Sequence, residues 1–284
     1  MLYQVLLNGP VRFNSRTGKP SSVQIAGALL KTAFEQEESG KALIADELFA
    51  VSELLLTANS EPLVTVNDFL TISGRQVSDL KIRKKLAKIT CKLSDLSKLS
   101  SYSEEELLNL NQLKLQKEEE EQEKLLPEAQ IYRVSNSRPN TKEKNMFYYK
   151  VLQLESPALI VSCAPSSLEI IKQALTQLSY SGFGSDKTIG LGGFSGFSVR
   201  ELSIPSANGS TKLNISHYIP SEESTKVQSR IVKYSPYVHG KIHEVLCHRP
   251  FGIVHLDKEV DGKVITLLEK KVLNFRSVLL PINI

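Results

Sequence analysis

The pattern of apolar and polar positions predicts a strand, a basic loop and a helix at the start of the chain. Residues 2–7 are mostly apolar and are typical of a strand. Residues 8–22 contain glycine, proline and serine with three basic residues, so we expect a polar loop there. From 22 to 36 the apolar residues recur at helical spacing and predict an amphipathic helix. This order is the first half of a ferredoxin-like unit.

The middle of the chain has a helical pattern. Between 77 and 99 the apolar residues alternate spacings of four and three, and they share this rhythm with Lys81, Lys85, Lys88 and Lys92. We therefore predict one amphipathic helix with a lysine face, which is either a solvated surface or a contact for phosphates or a protein neighbour. Ser103 and Glu106 have the spacing of a capping box and predict a second helix. Its acidic run, 117–124, is interpreted as a solvated helix face.

Strand patterns return beyond Pro127. Residues 131–136 and 145–154 flank a turn-rich basic segment and predict a long hairpin with a charged tip. Another strand is predicted at 158–164, followed by a helix capped by Ser166 and Glu169, and then a strand at 197–202. The remaining residues indicate mostly short strands with turns. The order strand, helix, strand thus recurs in the second half, which favours two related α+β units.

Composition sets limits on the function. The chain has 284 residues, of which 41% are hydrophobic, so it can bury a sizeable core. Its net charge of +4 permits nucleic-acid binding but does not require it. The odd count of three distant cysteines fits a reducing compartment. We find no signal-peptide pattern and no stretch of membrane-spanning length, and we expect a cytoplasmic protein.

The most informative segment is the glycine-rich loop at 182–193, between a predicted helix and a predicted strand. Glycine allows positive φ and a close approach of phosphate or ribose to the backbone. Lys187 and Thr188 add a cation and a hydroxyl donor suited to a phosphodiester. A flexible helix-to-strand connection is the alternative, and spacing alone does not separate the two. A nucleotide-binding P-loop does not fit, because Ser181 and Asp186 stand where that pattern needs glycine and the loop follows a helix.

The stretch GFGSDKTIGLGGF (182–194), placed after a helix and before a strand, resembles the signature loop of the RAMP superfamily of CRISPR proteins. Ser185 and Asp186 replace a glycine and a basic residue of that pattern. Residues 21–30 resemble the serine-rich start of the family's first helix, the hairpin at 131–151 resembles its thumb, and 272–284 resembles its terminal strand. Within the superfamily, the chain is most similar to the fourth Csm subunit of type III-A effectors.

This resemblance implies an α+β fold of two tandem ferredoxin-like (RRM-like) units with a glycine-rich loop, a thumb β-hairpin and a helical insertion. The N-terminal unit would span 1–126 with the insertion at about 77–126, and the C-terminal unit 127–284.

The implied function is non-catalytic binding of the repeat-derived 5′ handle of the guide RNA (crRNA). The implied partners are a large polymerase-like signalling subunit and a backbone RAMP subunit, with no membrane and no homo-oligomer. No cofactor, metal or catalytic residue is expected. The RNA-binding residues would come from the first loop and helix start, from the hairpin and from the glycine-rich loop: Ser15, Arg16, Lys19, Ser21, Ser22; Arg133, Asn136, Arg138, Lys142; Gly182, Gly184, Lys187, Thr188, Gly190, Gly192.

Two other functions stay open. Some RAMP proteins are guide-processing endoribonucleases that use a histidine near the first helix, but this chain has no histidine before His217. Alternatively, the chain is a protein–protein scaffold in which the glycine-rich loop is only structural. The late group His243, Cys247 and His248 lacks a second pair of ligands at zinc-site spacing, so no metal is predicted.

Overall fold

The computed structural model describes residues 1–14, 18–110, 128–135, 145–184, 191–204, 210–238, 241–268 and 271–283. It is a mixed α/β structure with several antiparallel sheets. The helices are α1 (Ser22–Ala33), α2 (Glu37–Ala45), α3 (Phe69–Ser73), α4 (Leu80–Leu86), α5 (helical over 104–110) and α6 (Pro165–Ser181), with a 3₁₀ helix at Leu93–Ser101. The strands are β1 (Leu2–Asn8), β2 (Pro10–Asn14), β3 (Ala50–Val51), β4 (Thr57–Ala58), β5 (Glu61–Asn67), β6 (Lys88–Lys92), β7 (Glu128–Ser135), β8 (Asn145–Glu155), β9 (Ala158–Ser162), β10 (Gly196–Glu201), β11 (Thr211–Asn214), β12 (Lys226–Gln228), β13 (Ile231–Tyr234), β14 (Tyr237–Val238), β15 (Lys241–Ile242), β16 (Val245–His248), β17 (Ile253–His255), β18 (Val260–Asp261), β19 (Val264–Leu268), β20 (Lys271–Asn274) and β21 (Ser277–Pro281).

The first sheet joins strands from distant parts of the chain in the order β10-β1-β9-β3, with every pair antiparallel. Val5 and Leu7 of β1 face the same core as Ile25 and Leu29 of α1 and Leu175 of α6. Alternate side chains of a strand point to opposite faces, so both helices cover one face of this sheet. The predicted opening strand and the predicted helix at 22–36 are thus present.

This sheet departs from the prediction of two consecutive units. Strands β1 and β3 belong to the predicted N-terminal unit, whereas β9, β10 and α6 belong to the predicted C-terminal unit, and all of them build one layer. A second sheet has the order β12-β17-β11-β21-β18. Its Leu213 and Val278 share a core with Leu2 and Ile160 on the other face of the first sheet. The ferredoxin-like assignment of each unit stays a prediction.

The single helix predicted at 77–99 is wrong. Helix α4 ends at Leu86, strand β6 follows, and the 3₁₀ helix begins at Leu93. In β6, Ile89 and Cys91 are buried and pair with Val66 and Val64 of β5. The apolar residues of this segment fit the spacing of four and three of a helix, and they also fit the burial of every second residue in a strand. Pairing with β5 makes 88–92 a strand. Lys81 and Lys85 therefore lie on α4, and Lys88 and Lys92 lie on β6.

The helix starts were predicted with mixed success. The Ser103 amide donates to the Glu106 carboxylate at 2.7 Å and the Glu106 amide donates to Ser103 Oγ at 3.3 Å, which confirms that capping box. The cap predicted at Ser166 is wrong. Helix α6 starts at Pro165 with no side-chain cap, and Glu169 instead pairs with Lys172. Proline suits the first helical position because its missing N–H would have no partner there.

The long hairpin is confirmed. Strands β7 and β8 are antiparallel, and β8 also pairs with β2, which gives a three-stranded sheet in the order β2-β8-β7. Strand β2 lies inside the segment predicted as a polar loop. In that sheet Asn14 pairs with Val151 and Arg133 pairs with Phe147, which comes four residues before Val151 in β8 and is nearer to the hairpin tip. At about 3.3 Å per residue, the hairpin extends roughly 13 Å beyond Asn14 at the level of Arg133.

Within the described residues, no helix combines the length and apolarity needed to cross a membrane. The same residues contain no group of three or more histidine, cysteine or acidic side chains arranged for a metal ion. All three cysteines are buried free thiols.

Candidate nucleic-acid interface

The base of the glycine-rich loop is built from close backbone contacts. Gly182 and Gly192 have φ values of +76° and +77°, a region that favours glycine. A Cβ on Gly192 would lie 1.9 Å from the Phe183 carbonyl oxygen, and one on Gly182 would lie 2.6 Å from that of Leu191. The Phe183 ring is fully buried and stacks on Phe194 with a centroid distance of 5.5 Å. These two glycines therefore let the two ends of the loop approach each other.

The base of the glycine-rich loop lies against the segment that precedes α1. The Gly192 amide donates to the Arg12 carbonyl at 2.6 Å. The position of a Cβ on Gly184 would be 3.8 Å from Pro20 Cβ. The structure thus brings together two of the stretches from which the RNA-binding residues were expected. They are more than 160 residues apart in the chain.

The two serines at the start of α1 form hydrogen bonds with other groups of the protein. Ser21 caps the helix, and its hydroxyl accepts from the Gln24 amide at 3.3 Å. Ser22 is buried, with its amide donating to Glu53 and its hydroxyl accepting from the His217 amide, each at 2.8 Å. Ser22 therefore holds the fold together at this point, whereas Ser21 is partly exposed.

Lys19 lies where the first loop meets a cavity. Its ammonium donates to the Leu54 carbonyl at 2.7 Å. Although the residue is exposed, the protein around its ammonium displaces water, and this desolvation lowers the pKa of Lys19. The Glu53 carboxylate opposes that effect.

Beside Lys19, Glu53 and His217 form a hydrogen-bonded pair. His217 Nδ1 lies 2.8 Å from Glu53 Oε1, and the side chains are 19% and 7% exposed. Burial by itself would raise the pKa of Glu53, but the hydrogen bond and charge of His217, the charge of Lys19 and the Ser22 amide lower it. A carboxylate that orients a histidine, whose second ring nitrogen is then free to act, is a common arrangement for proton transfer.

These groups line a cavity of about 730 Å³. Besides His217, its lining includes four basic residues, Lys19, Lys88, Arg230 and Arg249, and two acidic residues, Glu53 and Asp68. The net charge of the lining is therefore positive. Thr65, Thr90, Asn67, Gln228 and Ser229 add polar groups. A basic, polar cavity whose lining includes Lys19, in the segment before α1, fits a phosphate-bearing ligand.

Sequence reasoning missed Glu53, His217, Arg230 and Arg249 as members of this site. His217 is 195 residues from Ser22 and 164 from Glu53, so no local spacing links them. The late position of the histidines in the chain argued against a histidine near α1. The structure places one there.

The predicted site residues divide into three groups. Lys19, Ser21, Gly182, Gly184 and Gly192 lie together around the start of α1 and the loop base, and Ser22 lies buried beneath them. Arg133 lies on β7 of the hairpin. The others fall outside the described residues: Ser15, Arg16, Asn136, Arg138, Lys142, Lys187, Thr188 and Gly190.

Comparison with known structures shows what the chain resembles as a whole. It matches a chain from the structure of the Csm3–Csm4 subcomplex of the type III-A CRISPR–Cas interference complex with a TM-score of 0.64 and 14% identity, covering 99% of this chain and 99% of that chain. Csm1–Csm4 cassettes with pppApA and with AMPPNP match with TM-scores of 0.60 and 0.61 and 12% identity, covering 99% of this chain and 98% of theirs. No protein-family model matches the chain, and no curated protein matches it. Csm4 is the subunit common to these structures, so the chain resembles Csm4 in fold over its full length.

Proposed function

We propose that the chain is the Csm4-like subunit of a type III-A CRISPR effector, where it binds the repeat-derived 5′ handle of the crRNA. The observation that carries this proposal is the fold shared with the matched chain of the Csm3–Csm4 subcomplex over 99% of each of the two. The neighbouring structures contain Csm1 or Csm3 beside Csm4. By the same likeness, we infer that a Csm1-type signalling subunit and a Csm3-type backbone subunit dock on this chain.

The arrangement of the site supports RNA binding. The base of the glycine-rich loop, strand β2 and the base of the hairpin converge, because Gly192 contacts Arg12 and β2 pairs with the hairpin strand β8. Single-stranded RNA is held by backbone approach, basic side chains and hydrogen bonds to bases and ribose. We propose that these three elements grip the handle and that the chain is not an enzyme.

The proposal is tested by purifying the tagged chain from cells that contain its CRISPR locus. We expect the large signalling subunit and the backbone subunit to co-purify with it, together with RNA whose 5′ ends begin with the repeat sequence. A preparation that contains the protein partners without crRNA would favour the scaffold alternative. A preparation with neither would contradict the proposal.

The salt dependence of binding tests the phosphate contacts. Lys187→Ala, Arg138→Ala and Lys142→Ala should each reduce the slope of log K against log salt by about one, because each removes one phosphate contact. The effect should be nearly the same for different RNA sequences. Lys41→Ala on α2, which removes an exposed lysine paired with Glu37, is the matched control. Unchanged slopes in all three variants would place the RNA elsewhere.

One observation favours a second function, a guide-processing endoribonuclease. His217, oriented by Glu53, shares the cavity with Lys19. In such a reaction His217 would take the proton of a ribose 2′-hydroxyl, and the oxygen would attack the adjacent phosphorus. The 5′-oxygen would leave with a proton from Lys19, giving a 2′,3′-cyclic phosphate and a 5′-hydroxyl. The lowered pKa of Lys19 makes its ammonium a better acid.

We expect the purified protein to leave repeat RNA intact at neutral pH, with or without divalent metal. The comparison is between wild type and His217→Gln, analysed by gel for a product that ends in a cyclic phosphate. Cleavage by wild type that is lost in His217→Gln would replace the binding function by the endoribonuclease. His243→Gln, which changes a histidine that does not line the cavity, is the matched control.

A further inference from the structure

One turn at the edge of the basic cavity is held in a strained conformation. Phe251 has a φ of +67°, which an aromatic residue rarely adopts. The residue lines the cavity, and its side chain is only partly buried, packing on one side against the core that contains Val64 and Val66. Such strain persists only where surrounding contacts impose it, and it is concentrated at sites that hold ligands.

The contacts that impose this conformation are specific. Asn214 is fully buried, and its side chain donates to the Arg249 carbonyl at 3.0 Å and accepts from the Gly252 amide at 2.6 Å. Its backbone carbonyl accepts from the Phe251 amide at 2.7 Å. From the other side, Asn67 Nδ2 donates to the Phe251 carbonyl at 3.2 Å. Two strands, β5 and β11, therefore fix the turn before any ligand binds.

Two arginines flank this turn with their charges available. The Arg249 amide donates to the Arg230 carbonyl at 2.9 Å, which places the two residues side by side. Both residues are exposed and line the cavity. Throughout the part of the chain that the structure describes, no carboxylate oxygen lies within 4.0 Å of either guanidinium. An exposed arginine without an acidic partner is suited to a bidentate contact with phosphate.

From this geometry we propose that the cavity is a recess for one unpaired nucleotide, with Phe251 as its stacking surface and Arg249 and Arg230 as its phosphate ligands. An aromatic side chain on a fixed turn, beside cationic groups, is a usual means of holding a single-stranded base without reading its sequence. The volume of about 730 Å³ lies within the range of ligand pockets. Lys19 links the recess to the loop before α1. The inference rests on the proposed function, since it assigns one nucleotide of the bound RNA to this recess.

The test uses the full chain and short single-stranded RNAs in which 2-aminopurine replaces one base at a time. Stacking quenches the emission of 2-aminopurine, so one position should lose emission on binding to wild type. That quenching should be absent in Phe251→Leu, which keeps an apolar side chain but removes the ring. Arg249→Ala should weaken binding about tenfold and lower the salt slope by about one. Lys41→Ala should leave both unchanged, and thermal unfolding confirms that each variant is folded.

A second arm asks whether the ligand is a residue of RNA or a free nucleotide. AMP is titrated into wild type and Arg249→Ala, alone and in competition with the RNA. AMP that binds wild type, displaces the RNA and fails to bind Arg249→Ala would support the recess with free nucleotide as an additional ligand. RNA quenching without AMP binding would support it for RNA alone.

Two results would overturn the inference, and they differ in what they say about the proposed function. If RNA binds wild type, Phe251→Leu and Arg249→Ala equally and with the same quenching, the recess is wrong and RNA binding stands. If wild type binds neither RNA nor AMP, both the recess and the proposed function fall.

Discussion

At the residue scale, the buried polar side chains of the described residues are hydrogen-bonded. Among the described residues, no buried side-chain nitrogen or oxygen lacks a hydrogen bond. Asp261 illustrates this, because its carboxylate accepts from the Tyr218 hydroxyl, the Ser221 hydroxyl and the Ser221 amide. Burial acts to raise the pKa of Asp261, but these donors and Lys258 lower it. Such a group stabilises the fold only while every donor is present.

Tyr218→Phe is therefore expected to lower the free energy of unfolding by about 1–3 kcal/mol, because it leaves a buried carboxylate short of one donor. Urea unfolding followed by circular dichroism measures the change. Tyr180→Phe is the matched control, since Tyr180 is 88% exposed and its hydroxyl is available to water. Equal stability of the two variants would mean that the hydroxyl of Tyr218 contributes nothing.

Individual glycines of the glycine-rich loop also differ in role, although the sequence pattern assigned several of them to RNA binding. Gly182, Gly184 and Gly192 were all predicted to bind RNA. The structure shows that Gly182 and Gly192 permit backbone contact inside the loop base, whereas the nearest atoms to a Cβ on Gly184 are at 3.8 Å. Ser22, also predicted to bind RNA, is buried. The sequence indicates that the backbone at these glycines is closely approached by another group. It does not show whether that group belongs to the protein or to a ligand.

At the scale of elements, the folding of the loop between α6 and β10 depends on Gly192, which lies against the Phe183 backbone. Gly192→Ala should destabilise the protein by at least about 1–3 kcal/mol from its positive φ alone, and its Cβ would also meet the Phe183 carbonyl. Thermal unfolding measures this.

The matched control is Gly27→Ala, inside α1, where a Cβ would meet nothing within 4 Å. It should be neutral or stabilising, because alanine favours a helix more than glycine does. Full stability of Gly192→Ala would show that the loop base rearranges without penalty.

Helices and strands were predicted best where the apolar pattern was compatible with only one type of secondary structure. The hairpin β7–β8, the helix α1 and the start of α5 fall in this group. The segment 77–99 did not, because its apolar spacing fits both a helix and a strand of alternating burial. Strand β2 was missed because its pattern is short and its partner, β8, lies about 140 residues away. Pairing partners of this kind carry no local signal.

At the scale of the whole molecule, Glu53 joins segments that the chain brings together from far apart. Its side chain binds Ser22 of α1 and His217, and its amide donates to the Ile215 carbonyl at 2.9 Å. The folded protein lowers the pKa of Glu53, so the ionised form is favoured by folding. Stability from this group is therefore present above the ordinary carboxyl pKa of about 4.3 and is lost as pH falls through the lower folded value.

Glu53→Gln should reduce the free energy of unfolding by about 2–4 kcal/mol at pH 7, because it removes the charge of a largely buried pair. The difference from wild type should shrink as pH falls below about 4.3, because the carboxyl is then protonated first in the unfolded chain and, at lower pH, in the folded protein. Urea unfolding at several pH values measures both. Glu38→Gln is the control, since Glu38 is on α2 and its side chain is 90% exposed. A constant difference between pH 7 and pH 3 would contradict this account.

The sequence by itself determined the α+β character, the hairpin, the position of the glycine-rich loop and a resemblance that the full-length fold match supports. These follow from local spacing, turn chemistry and a contiguous motif, all of which are properties of neighbouring residues. The tertiary structure alone decided that β1 and β3 share a sheet with β9 and β10, and that His217 lies at the start of α1. It also decided that Arg230, Arg249 and Phe251 form a cavity with Lys19. Each of these depends on contacts between residues far apart in the chain, and such contacts are set by burying two sheets against a common core, which no local pattern encodes.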